Sequence, residues 1–454
     1  MMGFHSVNPY TGEFSGHFPF ISDTEISIKI DTGRDEYYGN WKKLSVNKRA
    51  KLIKPLAGYL RENKLTLGEL ITKEMGKPVR ESVSEIEKVA WLIDYHCDNA
   101  SKFLKKKVIK AGYSSSYISY EPLGGILGIM PWNFPFWQVF RFAVPAMLAG
   151  NIIFVKHAPN VPRCALEIER LFAMFLNSDR IYQNLFIDTA QVEQVIGNTF
   201  IQGVSLTGSE KAGSIVGSIA GRNIKKAVLE LGGTDPFIIC DDADHAKAVE
   251  HFVFSRMSNN GQICIAAKRL FIQKGIYDLV KYLLMERISY LKSGDPLDPA
   301  TQISCLARPD LKTVLINQIE NLKKSDGGVL YGKQDSSSTV CYPVVLEIDK
   351  TKIINHDEEI FGPVAVLIKF DSISEIPELV NSSRYGLAAS LWTNDLKKAG
   401  QLIREIEAGT IAVNKMVASD PAIPFGGIKK SGYGREMAEA GMKEFVNIKS
   451  VVIS

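Results

Sequence analysis

From Gly125 onward, short apolar runs alternate with stretches of helical periodicity, and this alternation constrains the fold of the 454-residue chain more than any other feature. Gly125–Met130, Asn151–His157, Leu185–Asp188, Gly203–Leu206, Lys226–Glu230 and Pro236–Cys240 read as strands. Phe136–Leu148, Cys164–Leu176 and Glu210–Ala220 read as the helices between them. A strand that is apolar along its whole length must be covered on both faces, which is the condition of a parallel sheet wound with helices. Such a sheet offers a nucleotide site at the carboxyl ends of its strands.

A second series of the same kind runs from about Leu231 to Asn414. Its expected helices are Ala243–Met257, Tyr277–Leu291 and Leu311–Lys324; its expected strands are Arg269–Gln273, Tyr342–Glu347, Val364–Phe370, Ala389–Trp392 and Thr410–Asn414. Before both series, Asn47 to Lys107 carries helical periodicity broken at Leu65–Thr66 and Gly76–Pro78, which predicts two or three amphipathic helices. Ser115–Glu121 and Glu444–Ile453 alternate polar and apolar residues as edge strands do, and are expected either to pair with another subunit or to stay solvated.

The formal net charge is +4, too small to argue for a nucleic-acid partner. The dense basic stretch Lys102 to Lys110 reads as a solvated helix end or strand edge. The apolar stretch Leu123 to Val155 is interrupted by Pro131, Asn133, Pro135, Arg141 and Pro145, so it reads as strand, loop, helix and strand rather than a membrane span. Met1 to Tyr10 lacks the charged start and apolar block of a signal peptide. The six cysteines, Cys97, Cys164, Cys240, Cys264, Cys305 and Cys341, form no C-x-x-C pair, and their scatter suits a reducing, cytoplasmic compartment with no bound metal.

Several short motifs carry chemistry. Asn259-Asn260-Gly261-Gln262-Ile263-Cys264 sets a thiol after a glycine-containing turn, from which it can project into a cleft. A thiol attacks only as thiolate, and a lone cysteine is more often a small core residue. Glu230 ends an apolar strand in Val228-Leu229-Glu230-Leu231-Gly232-Gly233. A carboxylate there is expensive to bury, and burial raises its pKa toward that of a general base; a cap or a buried ion pair is the alternative. Asn133 lies in the stiff turn Met130-Pro131-Trp132-Asn133-Phe134-Pro135, where a side-chain amide can serve as an oxyanion donor or as a plain turn residue. Leu206-Thr207-Gly208-Ser209-Glu210 is a strand-to-helix turn able to hold a phosphate, unless Ser209 merely caps the helix. Lys156 ends a strand, and Glu359 lies in Asp357-Glu358-Glu359-Ile360-Phe361-Gly362-Pro363; each is placed to meet a ribose hydroxyl or to be an ordinary surface charge.

In this order, the motifs resemble those of the aldehyde dehydrogenase superfamily. The resemblance runs from Asn8-Pro9-Tyr10-Thr11-Gly12-Glu13 to the last strand and includes PWNFPFWQ, VKHAPN, LTGSEKAG, LELGG, NNGQICIAAKR, EEIFGPV, SRYGLAAS and PFGGIKKSGYGRE. It implies a Rossmann-like cofactor domain (1–110 and 122–229), an α/β catalytic domain (230–420) and a β-hairpin oligomerisation arm (111–121 and 440–454), assembled as a homodimer or homotetramer. It implies Cys264 as nucleophile, Glu230 as general base and Asn133 as oxyanion-hole amide. Trp132, Lys156, Gly208, Ser209, Leu231, Glu359 and Phe361 would line a site for NAD or NADP.

Within the superfamily the chain looks most like short succinate-semialdehyde dehydrogenases, on FPFWQVFR (Phe134 to Arg141) and Ser419-Asp420-Pro421. Arg141 would clamp the distal carboxylate of a semialdehyde in bidentate fashion, with Ser419 adding a hydrogen bond and Trp137 a wall; a structural ion pair is the alternative for Arg141. A broad-range dehydrogenase with an apolar tunnel of Trp137, Phe134 and Phe425, a cofactor-independent thioesterase, and a non-catalytic protein on the same scaffold are the competing functions. Two positions depart from common relatives. Ile263 stands where a serine or second cysteine is frequent, and Pro159 where NAD-selective relatives place a glutamate, so a 2′-phosphate is not repelled; His157 and Lys211 are candidates to favour it.

Overall fold

A computed structural model describes residues 3–324 and 327–454, with the side chains of 354–356 left aside; Met1 and Met2, which open the stretch read for a signal peptide, lie outside the described residues. Two sheets organise the chain. The first has the strand order Gly432–Tyr433, Lys226–Glu230, Ile201–Thr207, Gly125–Ile129, Ile152–Lys156, Tyr182–Asn184, parallel except for the outermost Gly432–Tyr433. Order along the chain reverses between Gly125–Ile129 and Ile201–Thr207. That reversal opens a crevice at their carboxyl ends, and the Trp132–Asn133 and Gly208–Ser209 turns both emerge there.

The second sheet runs Gly328–Tyr331, Val344–Ile348, Val364–Phe370, Arg269–Gln273, Pro236–Ile239, Ala388–Trp392, Thr410–Val413, and only the Gly328–Tyr331 hairpin strand is antiparallel. One apolar cluster joins the first sheet to the N-terminal helices, and two others cover the faces of the second. The expected helices are present at Trp137–Ala149, Pro162–Leu176, Glu210–Arg222, His245–Met257, Tyr277–Ser289 and Pro309–Lys324. Leu123 to Val155 is the buried strand, loop, helix and strand that its prolines foretell, and no helix among the described residues is long and apolar enough to cross a membrane.

Two expectations need correction. The strand expected at Leu185–Asp188 is Tyr182–Asn184, because Asp188 is committed to a capping box with Gln191 that starts the helix Thr189–Gly197. The region Asn47 to Lys107 holds four helices rather than two or three: Val46–Ile53, Pro55–Glu62, Lys64–Met75 and Val79–Phe103. Pro55 supplies the extra break, since it has no N–H to continue the preceding helix. Before them, and unread in the sequence, come the hairpin Gly3–Val7/Phe14–Pro19 and the helix Asp23–Gly39. Ser115–Pro122 and Val446–Ile453 form one edge segment, pairing with each other along their whole length, and Lys107–Val108 adds a third strand. Lys105, Lys106, Lys107 and Lys110 accordingly sit on or beside an exposed strand edge.

Candidate active site

The loop that carries Cys264 is held by an uncommon backbone. Asn259 (φ 50°), Asn260 (φ 53°) and Gly261 (φ 73°) are left-handed in succession, a conformation asparagine and glycine tolerate best. A Cβ on Gly261 would lie 2.2 Å from the Gly362 carbonyl oxygen, so only glycine lets the loop pass that strand. Hydrogen bonds fix the rest. Asn259 donates its backbone N–H to Glu81 (2.7 Å), Asn260 Nδ2 donates to the Cys305 carbonyl (2.7 Å), and Gln262 Oε1 accepts from the Ala307 N–H (3.0 Å). Lys268 Nζ donates to the carbonyls of Ile263 (3.1 Å) and Cys264 (2.5 Å), which leaves the half-buried Cys264 side chain turned to a cavity. Burial pushes its thiol up to about 11, with Arg141 and Lys268 pulling the other way.

Asn133 is buried and bound to this loop from the first sheet. Its Nδ2 donates to the Gln262 carbonyl (2.9 Å), and Asn259 Nδ2 donates to the Asn133 carbonyl (2.9 Å). One Nδ2 hydrogen remains for another acceptor. The helix Trp137–Ala149 that follows has no side-chain cap of its own. Glu85, from helix Val79–Phe103, accepts instead from the N–H groups of Phe136 and Trp137, both at 2.9 Å, while pairing with the fully buried Lys77.

The cavity has a volume of about 250 Å³. Cys264, Ile263, Phe134, Trp137, Phe425 and Ser419 line it, as does Arg141. Arg141 reaches the cavity from a buried ion pair. It is 2% exposed, paired through Nε with the equally buried Glu436, donates Nη2 to Thr207 (3.4 Å) and lies 4.7 Å over the Phe425 ring. The ion pair with Glu436 is therefore present, and it engages Arg141 through Nε while the side chain still lines the cavity.

Lys88 also lines the cavity, and sequence reading missed it. Its Nζ donates to Ser419 Oγ at 2.7 Å and sits 4.4 Å over the Trp137 ring. Glu81 lines the same cavity, and burial raises its carboxyl to about 7. Glu81, Glu85 and Lys88 are spaced i, i+4, i+7, hence on one helix face. That spacing was the available signal, but such charges normally mark the solvent side.

Glu230 is 2% exposed, does not line the cavity, and neither carboxyl oxygen finds a partner among the described residues. Burial and the nearby Glu436 raise its pKa well above the usual carboxyl value. Because Glu436 has Arg141, Glu230 is the member of this pair that keeps a proton.

The expected cofactor residues gather at the crevice. Lys156 is 8% exposed at a strand's carboxyl end, with no ion-pair partner among the described residues; burial lowers its ammonium to about 8. Ser209 caps helix Glu210–Arg222 and accepts from the Ala212 N–H (3.3 Å), as its capping alternative foresaw, and the first turn still points N–H groups outward. Gly208 donates its N–H to the Glu230 carbonyl, and a Cβ there would make only ordinary contacts with Leu206 (3.6 Å) and Ala212 (3.9 Å); Leu231 donates its N–H to the Ser431 carbonyl. Glu359 accepts from Gly233 N–H (3.2 Å) and meets Lys268 (3.2 Å), and a Cβ on Gly232 would come within 2.2 Å of its Oε2. Trp132 and Phe361 pack edge to face at 5.8 Å. An unpaired buried cation, a helix N-terminus and a carboxylate around one crevice fit a phosphorylated dinucleotide. His157 must be withdrawn as an aid to a 2′-phosphate. Its Nε2 donates to the Pro135 carbonyl (2.9 Å) and its Nδ1 accepts from the Ala158 N–H (2.8 Å). Burial lowers it to about 4, so it is neutral. Lys211 remains exposed on the first helical turn.

A parallel-sheet scaffold that ties a cysteine loop to an asparagine turn beside a crevice at the strands' carboxyl ends is the arrangement the resemblance implies. The model of the aldehyde dehydrogenase family matches residues 2–451, and the chain belongs to that family, a family of NAD(P)-dependent oxidoreductases. The probable succinate-semialdehyde dehydrogenase [NADP(+)] of Synechocystis sp. is 39% identical over 100% of both chains. The succinate-semialdehyde dehydrogenase [NADP(+)] of Deinococcus radiodurans is 38% identical over 99% of this chain and 94% of its own. The crystal structure of succinic semialdehyde dehydrogenase from Streptococcus pyogenes in complex with NADP+ superposes with a TM-score of 0.96 at 34% identity, covering 99% of each chain.

Proposed function

We propose that this enzyme oxidises succinate semialdehyde to succinate with NADP+ as the preferred oxidant. The observation that carries the proposal is the cavity itself: Cys264 shares it with the ammonium of Lys88 and the hydroxyl of Ser419, so an aldehyde and a carboxylate can be held at once. The names of the relatives above agree with this substrate and cofactor. Pro159, exposed beyond Lys156, presents no carboxylate to a 2′-phosphate.

In this reading the Cys264 thiol gives up its proton and the sulfur adds to the aldehyde carbon, making a tetrahedral thiohemiacetal. The free Nδ2 hydrogen of Asn133 and the Cys264 N–H donate to the oxyanion; losing one such donor typically costs roughly 2.7–4 kcal/mol. A bound nicotinamide cofactor would supply the acceptor for the hydride of that carbon, and Cys264 would then hold the acyl group as a thioester. Glu230, once deprotonated, takes a proton from water; the water oxygen adds to the thioester carbon and the Cys264 thiolate leaves, releasing the acid. Lys156 and Glu359 would hold the two riboses, the Ser209 turn with Gly208 and Leu231 the pyrophosphate, and Trp132 and Phe361 the nicotinamide end.

We also propose the division into a cofactor domain (1–110 and 122–229), a catalytic domain (230–420) and an arm (111–121 and 440–454), a homodimeric or homotetrameric assembly through that arm, and a cytoplasmic site of action. The deciding experiment compares catalytic efficiencies for succinate semialdehyde, butanal and benzaldehyde, each with NAD+ and NADP+. The semialdehyde with NADP+ should lead. The aromatic wall of Phe134, Trp137, Phe254 and Phe425 favours the second reading, a broad-range dehydrogenase, and equal efficiencies across the panel would establish that one.

A further inference from the structure

We infer that Arg384 and Tyr385 are positioning residues for the cofactor: through Glu210 and Asp357 they latch the Ser209 turn to the loop of Glu359. The inference rests on the reading given above, in which that turn meets the pyrophosphate and Glu359 a ribose. The turn and the loop belong to different sheets. Ser209 and Glu210 follow strand Ile201–Thr207 of the first, whereas Glu359 precedes strand Val364–Phe370 of the second. Their spacing is therefore set by contacts that pass between the two sheets. The segment Ser383–Tyr385, which leads into strand Ala388–Trp392, makes such contacts with both.

On the first side stands Glu210, the opening residue of helix Glu210–Arg222. Tyr385 donates its hydroxyl to Glu210 Oε2 (3.0 Å), Arg384 Nε lies 3.4 Å from the same oxygen, and Lys430 Nζ lies 3.8 Å from Oε1. On the other side, Asp357 accepts from the Ser383 hydroxyl (2.5 Å) and from the Arg384 N–H (2.7 Å), two residues before Glu359. Arg384 Nη2 also donates to the Tyr385 oxygen (3.3 Å), so the phenol is held between a guanidinium and a carboxylate. The ion pairs of Arg384 and Lys430 are half exposed and individually weak. Tyr385 is buried, and its bond to a charged acceptor is the stronger tie. The latch also manages charge. Glu210 adjoins the turn whose N–H groups would meet a phosphate, and an unpaired carboxylate there would repel it. Breaking the latch frees the turn and bares that charge, and both effects loosen the hold on an anionic cofactor.

The test follows NADP+ binding by calorimetry and its release by stopped-flow fluorescence in the full chain, with no aldehyde present. Tyr385→Phe should raise the dissociation constant at least about fivefold, chiefly through faster release, because a hydrogen bond to a charged group is lost. Arg384→Met should raise it as well, and Arg384→Lys should recover part of the loss. A merely structural role would lower the midpoint of urea unfolding and leave the dissociation constant of the folded protein where it was. Tyr385→Phe removes one hydroxyl and no packing volume beyond it, so it remains informative if Arg384→Met fails to fold. A dissociation constant in Tyr385→Phe within about twofold of wild type would overturn the inference. Ser209→Asp separates this result from the reading beneath it. Aspartate caps a helix as well as serine does, so the fold is kept while the added charge repels a phosphate. If Ser209→Asp weakens NADP+ binding and Tyr385→Phe does not, the cofactor turn stands and the latch has no part in it. If Ser209→Asp binds NADP+ as wild type does, the turn does not hold the cofactor, and the inference falls with that reading.

Discussion

Cys264 enters its proposed role from an unfavourable position, since burial holds its thiol at about 11 and little thiolate exists at neutral pH. Only the thiolate is nucleophilic. Without cofactor, inactivation by iodoacetamide should quicken by about tenfold per pH unit from neutrality and keep rising beyond the ordinary thiol value of roughly 8.5. A plateau near pH 8 would show that Arg141 and Lys268 outweigh burial. Much of this was legible at the residue scale: Cys264, Trp137, Ser419, Phe134 and Phe425 were reached from short motifs and do meet at one cavity. Arg141 was reached too, but its partner was not. Glu436 lies far along the chain, and only the antiparallel pairing of Gly432–Tyr433 with Lys226–Glu230 swings it under the helix that bears Arg141. Lys88 escaped notice because a lysine three residues after a glutamate reads as a solvated pair.

The helices Trp137–Ala149 and Pro162–Leu176 begin without side-chain caps of their own, and both are completed from elsewhere. Glu85 accepts from Phe136 and Trp137, and Glu74 accepts from Arg163 (3.0 Å) and Cys164 (2.8 Å). A carboxylate at a helix N-terminus meets both free N–H groups and the positive end of the dipole. No local pattern could reveal this, since capping signatures are read within a few residues of the helix start. Glu85→Ala should strand the buried Lys77 and uncap the helix carrying Trp137 and Arg141, lowering stability by roughly 3–5 kcal/mol in urea unfolding. A loss below about 1 kcal/mol, the range of a surface change, would mean that neither contact matters to the folded state.

Across the whole molecule, the alternation of strands and helices forecast both sheets, because fully covered strands betray themselves by continuous apolar runs. The N-terminal hairpin and the helix Asp23–Gly39 were not forecast, since their exposed faces dilute the pattern. The three-stranded arm leaves Val108, Ile448 and Val452 more than half exposed, at 75%, 58% and 57%. Exposed apolar strand faces of this kind mark association. Light scattering should give a mass above that of one chain for the wild type and a smaller mass for the double variant Ile448→Lys, Val452→Lys. Equal masses would remove the arm from any assembly.

The stripe Glu81, Glu85, Lys88 also sorts what natural variation can do. The first two positions brace the loop of the thiol and the end of a neighbouring helix, so exchange there dismantles the scaffold. Position 88 braces only a serine hydroxyl and the face of one indole. Of the three positions, 88 is therefore the one where exchange costs the scaffold least.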